Sequence, residues 1–117
     1  MRFILSIIIS IFLFGCRSNC ENLPEFFGSY EEAKELVVNA HFELVEEIEC
    51  QTKSSWIGLA RYYSCDSKTG FLIIQLNSNE YIYSNVPFEV WKQFKNSDSF
   101  GYSYNQLIRG RYKIKLN

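Results

Sequence analysis

The sequence predicts one small α+β domain: an antiparallel sheet of three to five strands with helices packed on it. Three observations carry this. Strand-like runs rich in Ile, Leu, Tyr and Phe are separated by short turn clusters, which is the pattern of consecutive hairpins. Apolar residues at helical spacing lie on both sides of those runs. The chain has 117 residues, and about 100 of them follow a removable leader, enough for one core and too few for two. Hydrophobic residues make up 47% and aromatic ones 17%, a composition that excludes disorder as the main state.

The first element is a targeting signal. Met1-Arg2 is a short positive region, and Phe3 to Phe14 is an apolar run broken only by Ser6 and Ser10. As a helix that run would be roughly 18 Å long, short of the roughly 30 Å hydrocarbon core of a bilayer. It therefore reads as a signal-peptide core over 1–15 rather than a transmembrane span. It ends in Leu13-Phe14-Gly15-Cys16, which resembles the lipobox of bacterial lipoproteins. That resemblance implies cleavage after Gly15 and lipid attachment at Cys16, and hence a protein anchored to a membrane on the exported side. Phe14 is bulkier than the usual residue at its place. Arg17, where an Asp favours inner-membrane retention in enteric lipoproteins, points to the outer membrane of a two-membrane cell. Two or more acyl chains hold a protein stably without any span.

Residues 16–28 read as a tether, and the folded domain is expected over 29–117. Ser29-Tyr30-Glu31-Glu32 is a capping-box pattern, with Ser as N-cap and Glu three residues on. Tyr30, Ala33, Leu36, Val37 and Ala40 then follow helical spacing. Asn39 suits a helix end, and Phe42 and Leu44 alternate, so helix 30–39 is followed by strand 41–48; one continuous helix to Glu49 is the competing reading. Ser55–Ser64, Phe71–Leu76 and Glu80–Val86 read as strands, joined by the turns Asp66–Gly70 and Asn77-Ser78-Asn79. Along the last of them period two puts Tyr81 and Tyr83 on one face and Ile82 on the other. Pro87 suits the first turn of a helix over 88–96 that buries Val90, Trp91 and Phe94. A further helix carries Phe100, Tyr104, Leu107 and Ile108 and stops at Gly110, and Tyr112–Leu116 alternates as a closing strand.

Charge and cysteines bound the chemistry. Residues 21–49 carry nine glutamates against Lys34, while residues 50–117 carry nine Lys/Arg against four Asp/Glu. An acidic third beside a basic remainder fits complementarity within the molecule, and solvated faces of opposite sign fit equally well. With Cys16 lipidated, Cys20, Cys50 and Cys65 form an odd set, so at most one internal bridge can form in an oxidising compartment. Cys50 and Cys65 would stand at opposite ends of one strand, too far apart to bridge. The pairing expected is Cys20–Cys50, with Cys65 a free buried thiol. No C-x-x-C is present and His41 is the single histidine, so no metal site is expected. Glu46 and Glu47 are adjacent and would face opposite ways on a strand, which is poor for paired carboxylates. No nucleophile–His–acid set and no glycine-rich phosphate loop is found, so no catalytic residues and no cofactor are expected.

Residues 54–112 resemble the KTSC domain, a module of roughly 60 residues named for the C-terminal extension of some lysyl-tRNA synthetases and also found alone in bacterial proteins. The matching features are Ser54-Ser55-x-Ile57, the pair Tyr81-Ile82-Tyr83, Val86-Pro87, Ser99-x-Gly101 and Asn105-x-x-Ile108-Arg109-Gly110-x-Tyr112. The family's molecular role is unknown, and RNA binding has been suggested for it. That leaves two readings: a tethered, non-catalytic module that binds another envelope protein or the cell wall, or a nucleic-acid module. The candidate binding residues, chosen for the nucleic-acid chemistry, are Tyr81, Tyr83, Arg109, Arg111, Lys113 and Lys115. Tyrosines beside cations can stack unpaired bases and hold phosphates. An exported location and a formal net charge of −1 argue against nucleic acid, and paired tyrosines across a sheet are ordinary packing. An uncovered aromatic face would favour binding, and a face covered by helices would favour packing.

Overall fold

The computed structural model describes residues 18–117. The signal peptide, the cleavage after Gly15 and lipid attachment at Cys16 lie outside the described residues. Within them the α+β expectation holds. A four-stranded antiparallel sheet runs in the order β4 (Leu44–Glu49), β5 (Ile57–Ser64), β6 (Thr69–Leu76) and β7 (Asn79–Pro87). Every connection is to the next strand in sequence, as short turns require.

Helix α1 (Tyr30–Asn39) covers one face of the sheet, and α2 (Phe88–Lys95) with α3 (Phe100–Leu107) covers the other. Period two sorts the strands between two cores. Tyr63, Ile73 and Ile82 meet Ala33 and Val37 of α1. Ala60, Tyr62, Leu72 and Ile74 meet Trp91, Phe94, Phe100, Tyr104 and Ile108. Tyr62 lies flat against Trp91, ring centroids 5.3 Å apart and planes 6° from parallel, and its hydroxyl donates to the Val86 carbonyl at 2.8 Å. Burial pushes that phenol up to about 12. Val90 is half-buried rather than buried, at the margin of the same core.

The helix ends follow local chemistry. Ser29 Oγ accepts from the Glu32 N–H at 3.0 Å, and Glu32 Oε1 reaches back to accept from the Gly28 N–H at 2.7 Å. The first bond satisfies a donor that a bare helix start would strand, and the second ties the residue before the cap to the first turn. Asn39 Nδ2 donates to the Glu35 carbonyl at 2.9 Å, and Ala40 turns extended. The helix therefore ends at Asn39, and β3 (Ala40–His41) and β4 follow instead of a continuous helix.

The turns explain their own residues. Asp66 Oδ1 accepts the N–H groups of Lys68 and Thr69 at 2.9 and 3.1 Å, and these bonds hold its carboxyl below the usual value. Asn77 and Ser78 join β6 to β7 with φ of 51° and 73°, the geometry of a type I′ turn, in which the second position favours glycine. Ser78→Gly is therefore expected to raise stability by about 0.5–1 kcal/mol in urea unfolding; a loss would show that the turn is not strained at Ser78.

Glu46 points inward from β4. Its Oε1 accepts from Trp91 Nε1 and from Lys95 Nζ, both at 2.7 Å. The Lys95 bond first, and the Trp91 bond second, hold the carboxyl below its usual value. A carboxyl depressed in the folded state stabilises fully above its unfolded pKa and loses that contribution as pH falls through the folded one. Glu46→Gln is expected to flatten the acid limb of the stability profile, below pH about 4. An unchanged limb would mean that Glu46 is not held by this pair. Glu47 faces the opposite way on the strand, as alternation requires.

The structure corrects three further sequence expectations. Residues 18–28 are not a loose tether. Ser18–Asn19 (β1) pairs in parallel with β3, and Phe26–Phe27 (β2) pairs in parallel with Lys115–Leu116 (β8). Phe27 is buried against the α1-side core, so the extra apolar contacts draw the segment onto the domain. The closing strand over 112–116 shrinks to β8 plus one bridge between Tyr83 and Lys113, because Tyr112 takes φ 57° and breaks the extended run.

The third correction concerns the thiols. The bridge is Cys20–Cys65, with Cα atoms 6.0 Å apart, and Cys50 is the buried free thiol. Cys65 directly follows β5, at the margin of the α1-side core, where the N-terminal segment also runs. Cys50 turns its side chain into the opposite core, and burial pushes its thiol up to about 11. The face chosen by the N-terminal segment decided the pairing. The pair excluded on distance, Cys50–Cys65, is absent.

Candidate functional site

The strand that carries Tyr81 and Tyr83 is a sheet edge. Strand β7 pairs with β6 on one side; beyond that pairing, among the described residues, Tyr83 bridges to Lys113, the Ser84 N–H donates to the Tyr112 carbonyl at 2.8 Å, and the Glu80 carbonyl accepts from Lys34 Nζ at 3.4 Å. Tyr81 and Tyr83 stand on the α2/α3 side opposite Ile74 and Leu72, while Ile82 enters the α1-side core. The expected split of faces holds.

Helices cover both faces, which withdraws the idea of an open aromatic sheet. Tyr83 is half-buried, and its hydroxyl shares a short hydrogen bond with the Tyr104 hydroxyl. Burial first, and that hydroxyl second, raise its pKa far above the usual phenol range. Trp56 continues the series, its ring 5.7 Å from that of Tyr104 and perpendicular to it. Tyr81, one step further along the strand, has no such cover and is 45% exposed.

Two clefts open on either side of this tyrosine pair. One, of about 460 Å³, is lined by Trp56, Asn77, Tyr81, Tyr83, Asn105 and Arg109 among others. The second, of about 420 Å³, is lined by Tyr30, Glu80, Tyr81, Tyr83, Gly110 and Lys113, with Ile82 at its base. Arg109 is steadied by Asn105 Oδ1, which accepts from its guanidinium at 3.1 Å. Glu80 is held by Arg61 at 3.0 Å. Each cleft thus pairs aromatic walls with one cation, Arg109 or Lys113. Such a site can pack a planar or apolar group and fix it with a charged hydrogen bond.

Four of the six residues chosen from sequence come together here: Tyr81, Tyr83, Arg109 and Lys113. Arg111 is exposed and lines neither cleft, and Lys115 lies on β8, paired with Glu25 at 3.0 Å and over the Phe26 ring. Sequence reasoning missed Trp56, Tyr30 and Asn77. Tyr30 fits the helical stripe of α1 by spacing, but at the first turn it points past the core and is 53% exposed. Asn105 stood in the quoted motif and was passed over. Among the described residues no group of three His, Cys, Asp or Glu side chains could hold a metal ion.

Most of the motif residues are explained by the fold itself. Ser54 Oγ accepts from the N–H groups of Trp56 and Ile57. Ile57, Val86 and Ile108 are core residues, Pro87 starts α2, and Ser99 caps α3. Gly101 lets the Trp56 ring lie against α3, since a Cβ there would meet its Nε1 at 3.0 Å. Gly110 has φ 76°. Of the motif residues without such a duty, Tyr81, Asn105 and Arg109 open on one cleft, and the exposed Ser55 lines neither.

Residues 54–112 match the family model of the KTSC domain. No curated protein and no solved structure matches the chain.

Proposed function

We propose that this chain, which belongs to the KTSC domain family, is a membrane-anchored envelope lipoprotein whose domain is a non-catalytic interaction module. Its binding surface is the pair of clefts flanking Tyr81 and Tyr83. One observation carries the reading: three motif residues without a structural duty in the fold, Tyr81, Asn105 and Arg109, share a single cleft. The anchor rests on the apolar leader and the Leu-Phe-Gly-Cys ending. The partner is an envelope protein or the cell wall.

The test has two arms. Mass spectrometry of the protein extracted from membranes should find Cys16 as an acylated N-terminus, and Cys16→Ser should release the protein or leave it uncleaved; unchanged acyl labelling of that variant would remove the anchor. A photoreactive side chain at position 81 should give a discrete adduct in envelopes that is lost with Arg109→Ala. The same group at Tyr102, an exposed position on α3 that lines neither cleft, should not. Equal labelling from both positions would remove the clefts as a binding surface.

One observation favours a second reading. Trp56, Tyr81 and Arg109 share a cleft, and aromatic rings beside a guanidinium can stack a base and hold its phosphate. On this reading a short single-stranded RNA should quench Trp56 fluorescence, with affinity falling as salt rises. No change in fluorescence up to millimolar oligonucleotide would discard it.

A further inference from the structure

We infer that the domain sits flush on the bilayer, with the disulfide end of the sheet against the lipid headgroups and both clefts held outward. This rests on the lipid anchor proposed at Cys16. Only Arg17 separates Cys16 from Ser18, the first residue of β1. Two residue steps of fully extended chain reach about 7 Å at most. From Ser18 onward the chain is fastened twice. Ser18 and Asn19 pair with Ala40 and His41, and Cys20 is bridged to Cys65. An anchor at Cys16 therefore has almost no leash, and a lipid surface is the partner that this end of the domain must meet.

The direction follows from the sheet. Cys65 directly follows Ser64, which pairs with Leu44 on one side and Gly70 on the other, and β3 leads into that same end. The clefts use Trp56, Asn77 and Tyr81, at the opposite end, where Ile57 pairs with Leu76. Along β6 the two levels are Gly70 and Leu76, paired with Ser64 and Ile57, and six strand rises separate them, roughly 20 Å at 3.3 Å per residue. The fastened end is thus held at the headgroups while the clefts face a partner in the aqueous compartment. A long flexible linker would let the clefts sample every orientation, including contact with lipid. Here the disulfide and the β1–β3 pairing remove that freedom.

The experiment uses the full mature lipoprotein in nanodiscs of phosphatidylethanolamine and phosphatidylglycerol containing a gadolinium-chelating headgroup lipid. Paramagnetic broadening of amide signals reads distance from the headgroups. The amides of His41 and Ser67 should relax at least about fivefold faster than those of Asn77 and Ser78, given the roughly 20 Å between the two ends. Inserting ten Gly/Ser residues between Arg17 and Ser18 should erase that gradient. A protein that carries no acyl group and does not bind the discs would overturn both the anchor and the orientation. An acylated, disc-bound protein with uniform broadening, or with Asn77 and Ser78 broadened most, would overturn the orientation alone. A gradient that survives the insertion would also overturn it, since the short leash would not be its cause.

Discussion

Trp91→Ala is expected to cost about 3–5 kcal/mol in chemical unfolding, the range for losing a large buried aromatic. Trp91 is fully buried. It stacks on Tyr62, abuts Phe94 at 6.2 Å and donates to Glu46 at 2.7 Å. The substitution removes all three contacts together, and the Glu46 carboxylate keeps only Lys95. Trp91→Phe separates the parts, because it retains most of the packing and loses only the indole donor. It should cost less than the alanine variant by about 2 kcal/mol or more. A loss below about 1 kcal/mol for Trp91→Ala would place the residue at the surface and break the packing of α2 on the sheet.

Loss of the Cys20–Cys65 bridge is the other large effect. The two cysteines are 45 residues apart in sequence, and in the chain-entropy picture a loop of that length is worth about 4 kcal/mol. Cys65→Ser should lower stability by about 2–5 kcal/mol under oxidising conditions, with little difference between wild type and variant once reductant is present. Alkylation of the native protein should leave Cys20, Cys50 and Cys65 unlabelled, the first and last because they are joined and Cys50 because it is buried. Unfolding without reductant should expose Cys50 alone among these three. A proteolytic fragment joining Cys20 to Cys50 would reverse the assignment and require the N-terminal segment to cross the other face of the sheet.

The candidate site was only partly legible. Tyr81, Tyr83, Arg109 and Lys113 were chosen because aromatic and cationic residues in the C-terminal half fit one chemistry, and the structure does bring those four together. Arg111 and Lys115 fit the same chemistry by type, yet they leave the site: Arg111 lies in the turn between Gly110 and Tyr112, both at positive φ, and Lys115 is held on β2 by its pairing with Phe26. Trp56, Tyr30 and Asn77 reach the clefts from a strand entry, a helix start and a hairpin turn. Nothing about their local sequence marks them, since their shared location depends on how those elements meet.

Local chemistry determined the elements. The Ser29–Glu32 box, Asn39, the Asp66 and Asn77-Ser78 turns, Pro87 and Gly110 each act through bonds or dihedrals within a few residues, so the helices and hairpins could be read in order from the chain. Period two likewise placed Tyr81 and Tyr83 together and Ile82 opposite, because alternation is a property of one strand. Only the tertiary structure decided which layer each face would meet. It put α1 and the N-terminal segment on one side and α2 with α3 on the other, and from that followed the Cys20–Cys65 bridge, the burial of Cys50 and the covering of Tyr83. These outcomes depend on contacts between segments up to 90 residues apart, where many pairings satisfy the same local preferences and the packing of whole faces selects one.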